Sequence, residues 1–176
     1  MNIPLTPSAP VTAQERFFGK YRGVVRGNQD PEGRGRLQVE VPELRPGVID
    51  WALPALPYAG DGVGFFALPP LGANIWVEYE AGHLRVPIWS GCFWLRGEIA
   101  AADALPEVVF LKTAQASIRI DNGTGEIAVT IGGSTLTLTA SEAKLDSPRI
   151  SLTANGATLQ VTPAGLDVLQ GALKVM

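Results

Sequence analysis

The sequence predicts an all-β protein built from two unlike parts, a small barrel over residues 17–96 and a trimeric β needle over residues 108–176. Three observations carry this expectation. Short apolar runs are punctuated by Gly and Pro, 20 and 14 of the 176 residues, and little of the chain has helical spacing. All four Trp, all three Tyr and five of the six Phe stand before residue 95, while only Phe110 is aromatic after residue 107. Beyond residue 117 an apolar residue returns at a spacing of nine and then of seven, each time with a second apolar or small residue two positions on.

Residues 1–16, rich in Pro, Thr and Ala without periodicity, read as an extended arm. Tyr21–Arg26 forms the first strand signal, and the turn-rich run 28–35 leads to Leu37, Val39 and Val41 alternating with Gln38 and Glu40. Phe65–Leu68 precedes a rigid corner of Pro69, Pro70 and Gly72. Ile75, Val77 and Tyr79 alternate with Trp76, Glu78 and Glu80, and a turn at 81–83 reverses the chain into Leu84–Ile88 and Trp89–Trp94. Aromatic side chains bury large areas, so this part is expected to fill a core of its own. Five or six short strands in this space fit a small antiparallel barrel, of which the OB-fold is the matching size.

The motifs GRLQVEVP (35–42), DWA (50–52), PYAG (57–60), LPPLG (68–72), VEYEAG (77–82) and PIWSGCFW (87–94) follow one another in order. In order and spacing they resemble the OB-fold domain of phage baseplate assembly protein V and of VgrG-type spikes. The resemblance covers residues 19–95. It implies a central spike, in which a trimer of OB-folds carries a triple-stranded β-helix, with a hub protein at the OB-fold end.

Residues 97–107, including the Ala-rich run before Pro106, read as a linker. The needle columns begin at Ile118, Ile127, Leu136 and Leu145 and continue through Leu152, Leu159, Leu166 and Leu173. Two residues on stand Ile120, Val129, Leu138, Ala154, Val161, Val168 and Val175, and only Ser147 breaks this second column. Turn signals separate the pairs: 122–125, Gly132 with Gly133, Ser147 with Pro148, Asn155 with Gly156, and 163–165. A coiled coil would space its apolar residues by three and four, not two, and Pro148 and Pro163 would break its helix. A single-chain β-helix would have too few coils to bury its faces. Three chains around one axis solve this, with Ile118, Ile127, Val129, Leu136, Leu138, Leu145, Leu152, Leu159, Val161, Leu166, Val168, Leu173 and Val175 expected at the trimer core. Aliphatic side chains suit such a narrow axis. Eight stacked strands at about 4.7 Å give a needle on the order of 40 Å long.

Catalytic chemistry is not expected, and no cofactor or metal is assigned. His83, the single histidine, reads as a solvated turn residue, and Cys92, the single cysteine, as a small buried hydrophobe. No Cys/His pair stands at zinc or nucleophile spacing, and Asp30 and Glu32 read as turn formers on a solvated surface. The alternative is an OB-fold that binds single-stranded nucleic acid, for which Tyr21, Arg22, Arg26, Arg34 and Arg36 are the candidate patch. Glu32, Glu40 and Glu43 oppose it, and the net charge of −3 makes nucleic acid an unexpected partner.

No apolar run reaches the roughly 18 residues of a membrane span, and the N-terminal stretch has no basic or apolar leader pattern. Assembly in the bacterial cytoplasm and incorporation into a virion baseplate or injection particle are therefore expected. The needle would contact a target membrane transiently. At the far end Leu173, Val175 and Met176 continue the apolar column, a platform on which a small tip protein of the PAAR-repeat kind would dock.

Overall fold

The computed structural model describes residues 15–168 and 173–175. Its packing divides the chain into two units, with the division between Glu98 and Ile99.

Among the described residues seven strands lie in the first unit: β1 (Tyr21–Gly27), β2 (Leu37–Glu40), β3 (Ile49–Pro54), β4 (Ala59–Gly60), β5 (Val63–Gly64), β6 (Asn74–Tyr79) and β7 (Pro87–Cys92). Five of them close a barrel in the order β1-β2-β3-β7-β6 and back to β1. Every ladder is antiparallel except β3 with β7, where Leu53 stands opposite Ile88. Alternation along the strands turns Val25, Leu37, Val39, Ala52, Ile75, Val77, Tyr79 and Trp89 inward, and Val41 joins them just after β2. Closure brings the backbones close at Gly23, where an added Cβ would lie 2.8 Å from Val77 Cγ2 and 3.2 Å from the Glu40 carbonyl. The expected turn after β6 is a single 3-10 turn over Glu80–Gly82.

The barrel departs from the sequence reading in its aromatic residues. Only Tyr79 and Trp89 are buried, and the core is otherwise aliphatic. Trp89 is admitted because its Nε1–H donates to the Gly35 carbonyl at 3.2 Å. Phe65–Leu68 is not a strand: it follows the short β4–β5 hairpin, and Tyr58, Phe65 and Phe66 are exposed there. The long β3–β6 connection sends Leu56 and Leu68 against the core, while its aromatic residues stay outside.

Nine strands form the described part of the second unit: β8 (Val108–Lys112), β9 (Ala116–Asp121), β10 (Glu126–Ile131), β11 (Ser134–Leu138), β12 (Ala143–Asp146), β13 (Ile150–Ala154), β14 (Ala157–Thr162), β15 (Gly165–Val168) and β16 (Leu173–Val175). They make two antiparallel meanders, β12-β11-β10-β9-β8 and β13-β14-β15-β16. Turn residues act where the sequence puts them. Asn155 and Gly156 both take positive φ, 47° and 87°, as a two-residue hairpin of the primed type requires. Asp121 Oδ1 accepts the N–H groups of Gly123 and Thr124 at 2.9 and 3.1 Å, shaping the β9–β10 turn. One turn signal behaves otherwise: Ser147 and Pro148 close no hairpin, and the first sheet ends there. Within the described chain each ladder of this unit joins strands adjacent in sequence, so the winding of several chains around one another is not a feature of the single chain.

Candidate functional site

Antiparallel pairing sorts the second unit's residues by face. In the first sheet, Leu111, Ile118, Val129, Leu136 and Leu145 stand opposite one another in a row across all five strands. A second row runs through Val109, Ile120, Ile127, Leu138 and Ala143. Both rows occupy the same face, since residues two apart on a strand point the same way. The second sheet repeats the device, with Leu152, Leu159, Val168 and Leu173 in one row and Ile150, Val161, Leu166 and Val175 in the other. All thirteen residues expected from the columns therefore fall into four cross-strand rows. Met176, expected at the tip, lies outside the described residues.

Sequence reasoning missed Val109, Leu111, Ile131 and Ile150. Their signal was present: Val109 and Leu111 stand two apart, and Leu111 precedes Ile118 by seven. The two columns along the chain are not two rows in space. Strand reversal places a member of one column opposite a member of the other, as Ile118 opposite Val129. The break at Ser147 marks the boundary between the sheets.

The opposite faces are mainly polar, with Val108, Phe110 and Ala128 the exceptions in the first sheet. Arg119 pairs with Asp121 at 3.0 Å and Asp103 at 3.5 Å, Lys112 with Asp103 at 3.4 Å, and Lys144 with Asp146 at 3.6 Å. Because Asp103 meets both Lys112 and Arg119, and Arg119 also donates to the Ala102 carbonyl at 3.4 Å, the segment before β8 lies over this polar side. On the second sheet Ser151, Thr153, Thr158, Gln160 and Asp167 take the corresponding positions.

Between residues 99 and 168, and at Leu173, no residue of the second unit is buried; the buried core among these and the earlier described residues belongs to the barrel. Leu111, Leu152 and Leu173 are 57%, 61% and 57% exposed. Exposed apolar faces of this extent occur where a protein meets a partner, a ligand or a membrane.

The positions weighed for chemistry or nucleic acid are engaged in the barrel's own structure. Asp30 forms the turn as expected but is not solvated. Its side chain is 3% exposed, and it accepts the N–H groups of Glu32, Arg34 and Arg36 at 3.0, 2.8 and 3.2 Å. The Arg36 guanidinium donates to it from Nε and NH2 at 3.0 and 2.7 Å. That pairing, helped by the three backbone donors, holds its carboxyl well below the usual carboxylate range. Arg36 also lies over the Trp51 ring, 4.9 Å from its centroid.

Arg26 pairs with Glu40 at 2.6 Å, and Arg34 with Glu32 at 3.2 Å. Arg22 sits over Trp76 and Phe93, and Tyr21 meets Tyr79 edge-on. The candidate nucleic-acid patch is thus a set of arginines already held by carboxylates and rings. Glu40 is held in its charged form first by the Gly47 N–H, at 2.8 Å, and then by Arg26, which lowers its pKa. His83 is half-buried with Arg16 2.6 Å from its Nε2, rather than free in solvent. Cys92 is exposed at the end of β7, not buried, because the strand leaves the barrel there.

Among the described residues no group of three His, Cys, Asp or Glu could hold a metal, and no helix is long and apolar enough to cross a membrane.

No curated protein matches this chain. Residues 21–94 match the family of the type VI secretion system/phage-baseplate injector OB domain. The matched span begins at the first residue of β1 and ends two residues beyond β7, so it encloses the closed barrel. The five barrel strands, counted along the chain, close in the order 1-2-3-5-4, and this barrel is the part of the chain that is similar to the phage-baseplate and type VI secretion injector OB-domain family.

Proposed function

We propose that the chain is the central spike of a contractile phage tail or a related contractile injection system, acting as a homotrimer. Three second units close around one axis, apolar faces inward, and form the needle that contraction drives against a target membrane. The OB-fold end joins the needle to a hub protein. The work is mechanical, and the particle is put together in the cytoplasm of a bacterium.

One observation carries this reading: between residues 99 and 168 the second unit has a continuous apolar face and no buried residue. Fully burying one Val, Leu or Ile side chain stabilises by about 1.5–3 kcal/mol, and a unit that buries none of its own must obtain this from other chains. Aliphatic residues throughout the four rows suit a narrow axis that Trp or Tyr would overfill. The barrel's match to the injector OB-domain family supports the baseplate setting.

Light scattering on the full chain tests it. A mass near three times 18.6 kDa is expected at micromolar concentration, and truncation after residue 105 should return the mass to that of one barrel. A stable full-length monomer, or a dimer closed as a two-sheet sandwich, would overturn the reading.

A further inference from the structure

The chain's single histidine meets a charged neighbour in an arrangement that only one of its protonation states allows. His83 closes the turn between β6 and β7. Its N–H donates to the Glu80 carbonyl and its own carbonyl accepts the Val86 N–H, both at 2.9 Å, so the turn fixes where the ring stands. The segment before β1 lies against this turn. Phe17 N–H donates to the Gly82 carbonyl at 3.0 Å. A Cβ added to Gly82 would stand 3.1 Å from Arg16 Cβ, the Phe17 nitrogen and Phe18 Cε1. The Phe17 ring packs against the core, edge-on to Tyr79 with 6.2 Å between centroids.

Arg16 completes the contact. Its NH1 nitrogen stands 2.6 Å from His83 Nε2 and donates to the Ala81 carbonyl at 3.1 Å. A guanidinium has donors only and keeps its charge at any pH a folded protein meets. Nε2 must therefore offer a lone pair, and the imidazole is neutral. A proton on Nε2 would set N–H against N–H and charge against charge. Both bonds leave from NH1, so driving it off the ring also draws it from the Ala81 carbonyl. Imidazole is the side chain that ordinarily takes up its proton between about pH 8 and 5.

Other charged groups stand around the ring but do not replace Arg16. A cleft of about 460 Å³ beside it is lined by Glu15, Arg45, Leu84, Arg85 and Val86 as well as His83. Arg45 is taken up by Asp50, and Glu80 belongs to the turn itself. Among the described residues Arg16 alone meets the ring nitrogens, so it is the charge that a protonated ring confronts at contact.

We propose that His83 is a pH-sensitive latch for the segment before β1, which is docked while the ring is neutral and released in mild acid. The latch is local and does not depend on the oligomer. None of the five closing strands includes residues 15–18, so the barrel stays closed while Arg16 and Phe17 come free.

Amide hydrogen exchange tests the latch on the full chain, read residue by residue at pH 7.5 and 5.5 and referred to the intrinsic rate at each pH. Protection of the Phe17 amide should fall by about tenfold at the lower pH, the scale of losing one hydrogen bond from a charged donor. The Val25 amide, bonded to the Ala73 carbonyl within the barrel, should not change. His83→Gln cannot take up the proton, and Arg16→Gln removes the facing charge, so each should abolish the pH dependence at Phe17. Equal protection of Phe17 at both pH values in the parent protein overturns the latch. So does a parent-like fall in either variant, or a matching fall at Val25, which would place the acid effect in the barrel as a whole.

Discussion

The barrel and the meander that follows it use the same local code and reach opposite ends. Each alternates apolar and polar residues along short strands, and each turns on Gly, Asn and Pro. In the barrel, β1 meets β6 and the apolar face becomes an interior, so Leu37, Ile75 and Val77 are fully buried within one chain. In the second unit the meander never meets its own beginning, and Leu136, Leu152 and Val161 remain exposed. Alternation fixes which residues share a face, but closure decides whether that face is a core or a binding surface. The two units should therefore differ in what destabilises them. All four Trp and all three Tyr lie before residue 99, so intrinsic fluorescence reports the barrel alone while far-ultraviolet circular dichroism reports both.

The largest expected effect is on assembly. Leu159→Asp puts a carboxylate into a row shared with Leu152 and Val168, and three copies would gather like charges in a dry interior, where unpaired charge is very costly. The trimer should be lost by light scattering while barrel fluorescence is unchanged. Thr158→Asp changes the next residue, on the opposite face beside Thr153, and should assemble normally. Equal behaviour of the two variants would mean that the apolar face is not the contact.

The converse belongs to the barrel. Ile75 is completely buried, and Ile75→Ala should cost about 2–5 kcal/mol through lost burial and a residual cavity. Fluorescence-detected melting should fall by more than about 8 °C, with the oligomer mass at low temperature retained. Loss of the trimer in this variant would show that the barrel, not the meander, holds the chains together.

Much of this contrast was legible in the sequence, and for a physical reason. Period-two alternation is local, so Leu37, Val39 and Val41, or Leu159 and Val161, declare their common face without any knowledge of partners. Asn155 and Gly156 declare their turn because few residues accept positive φ. What resisted reading depended on distant chain. Tyr58, Phe65 and Phe66 look like core residues, but only closure decides that the β3–β6 connection keeps them outside. Asp30 looks like an ordinary turn former, because its second role needs Arg36 brought back onto it by the loop it shapes. Ser147 and Pro148 carry a turn composition, and only their failure to reverse the chain reveals where one sheet ends.

Acid should weaken the barrel more gently. The folded-state pKa of Asp30 is lowered, first by Arg36, and that of Glu40 by the Gly47 N–H and Arg26. A depressed carboxylate stabilises in full above its unfolded pKa, about 3.9 for Asp and 4.3 for Glu, and loses that contribution as pH falls through the folded value. The barrel's melting temperature should therefore be flat near neutrality and decline below about pH 5. Asp30→Asn should lower it most at neutral pH, with the gap to the parent protein narrowing in acid. A gap that stays constant down to pH 2 would mean that Asp30 acts through shape rather than charge.

The smallest effect tests whether the second unit melts as one body. Gly156 has φ +87°, and nothing lies within 4 Å of where a Cβ would be, so Gly156→Ala introduces backbone strain without a clash. The cost of such a conformation for an L-residue is about 1–2 kcal/mol per chain. Were each meander to unfold independently, circular dichroism would register only that small shift. In a trimer that unfolds in a single step, the strain counts three times against one transition whose enthalpy has also tripled. The melting temperature then moves little, but the equilibrium constant for the whole particle changes by the cube of the single-chain factor. Denaturant titration at several protein concentrations resolves this, since a cooperative trimer shows a concentration-dependent midpoint and independent meanders do not. Barrel fluorescence should not respond to Gly156→Ala in either case, which makes it the internal reference for the substitution.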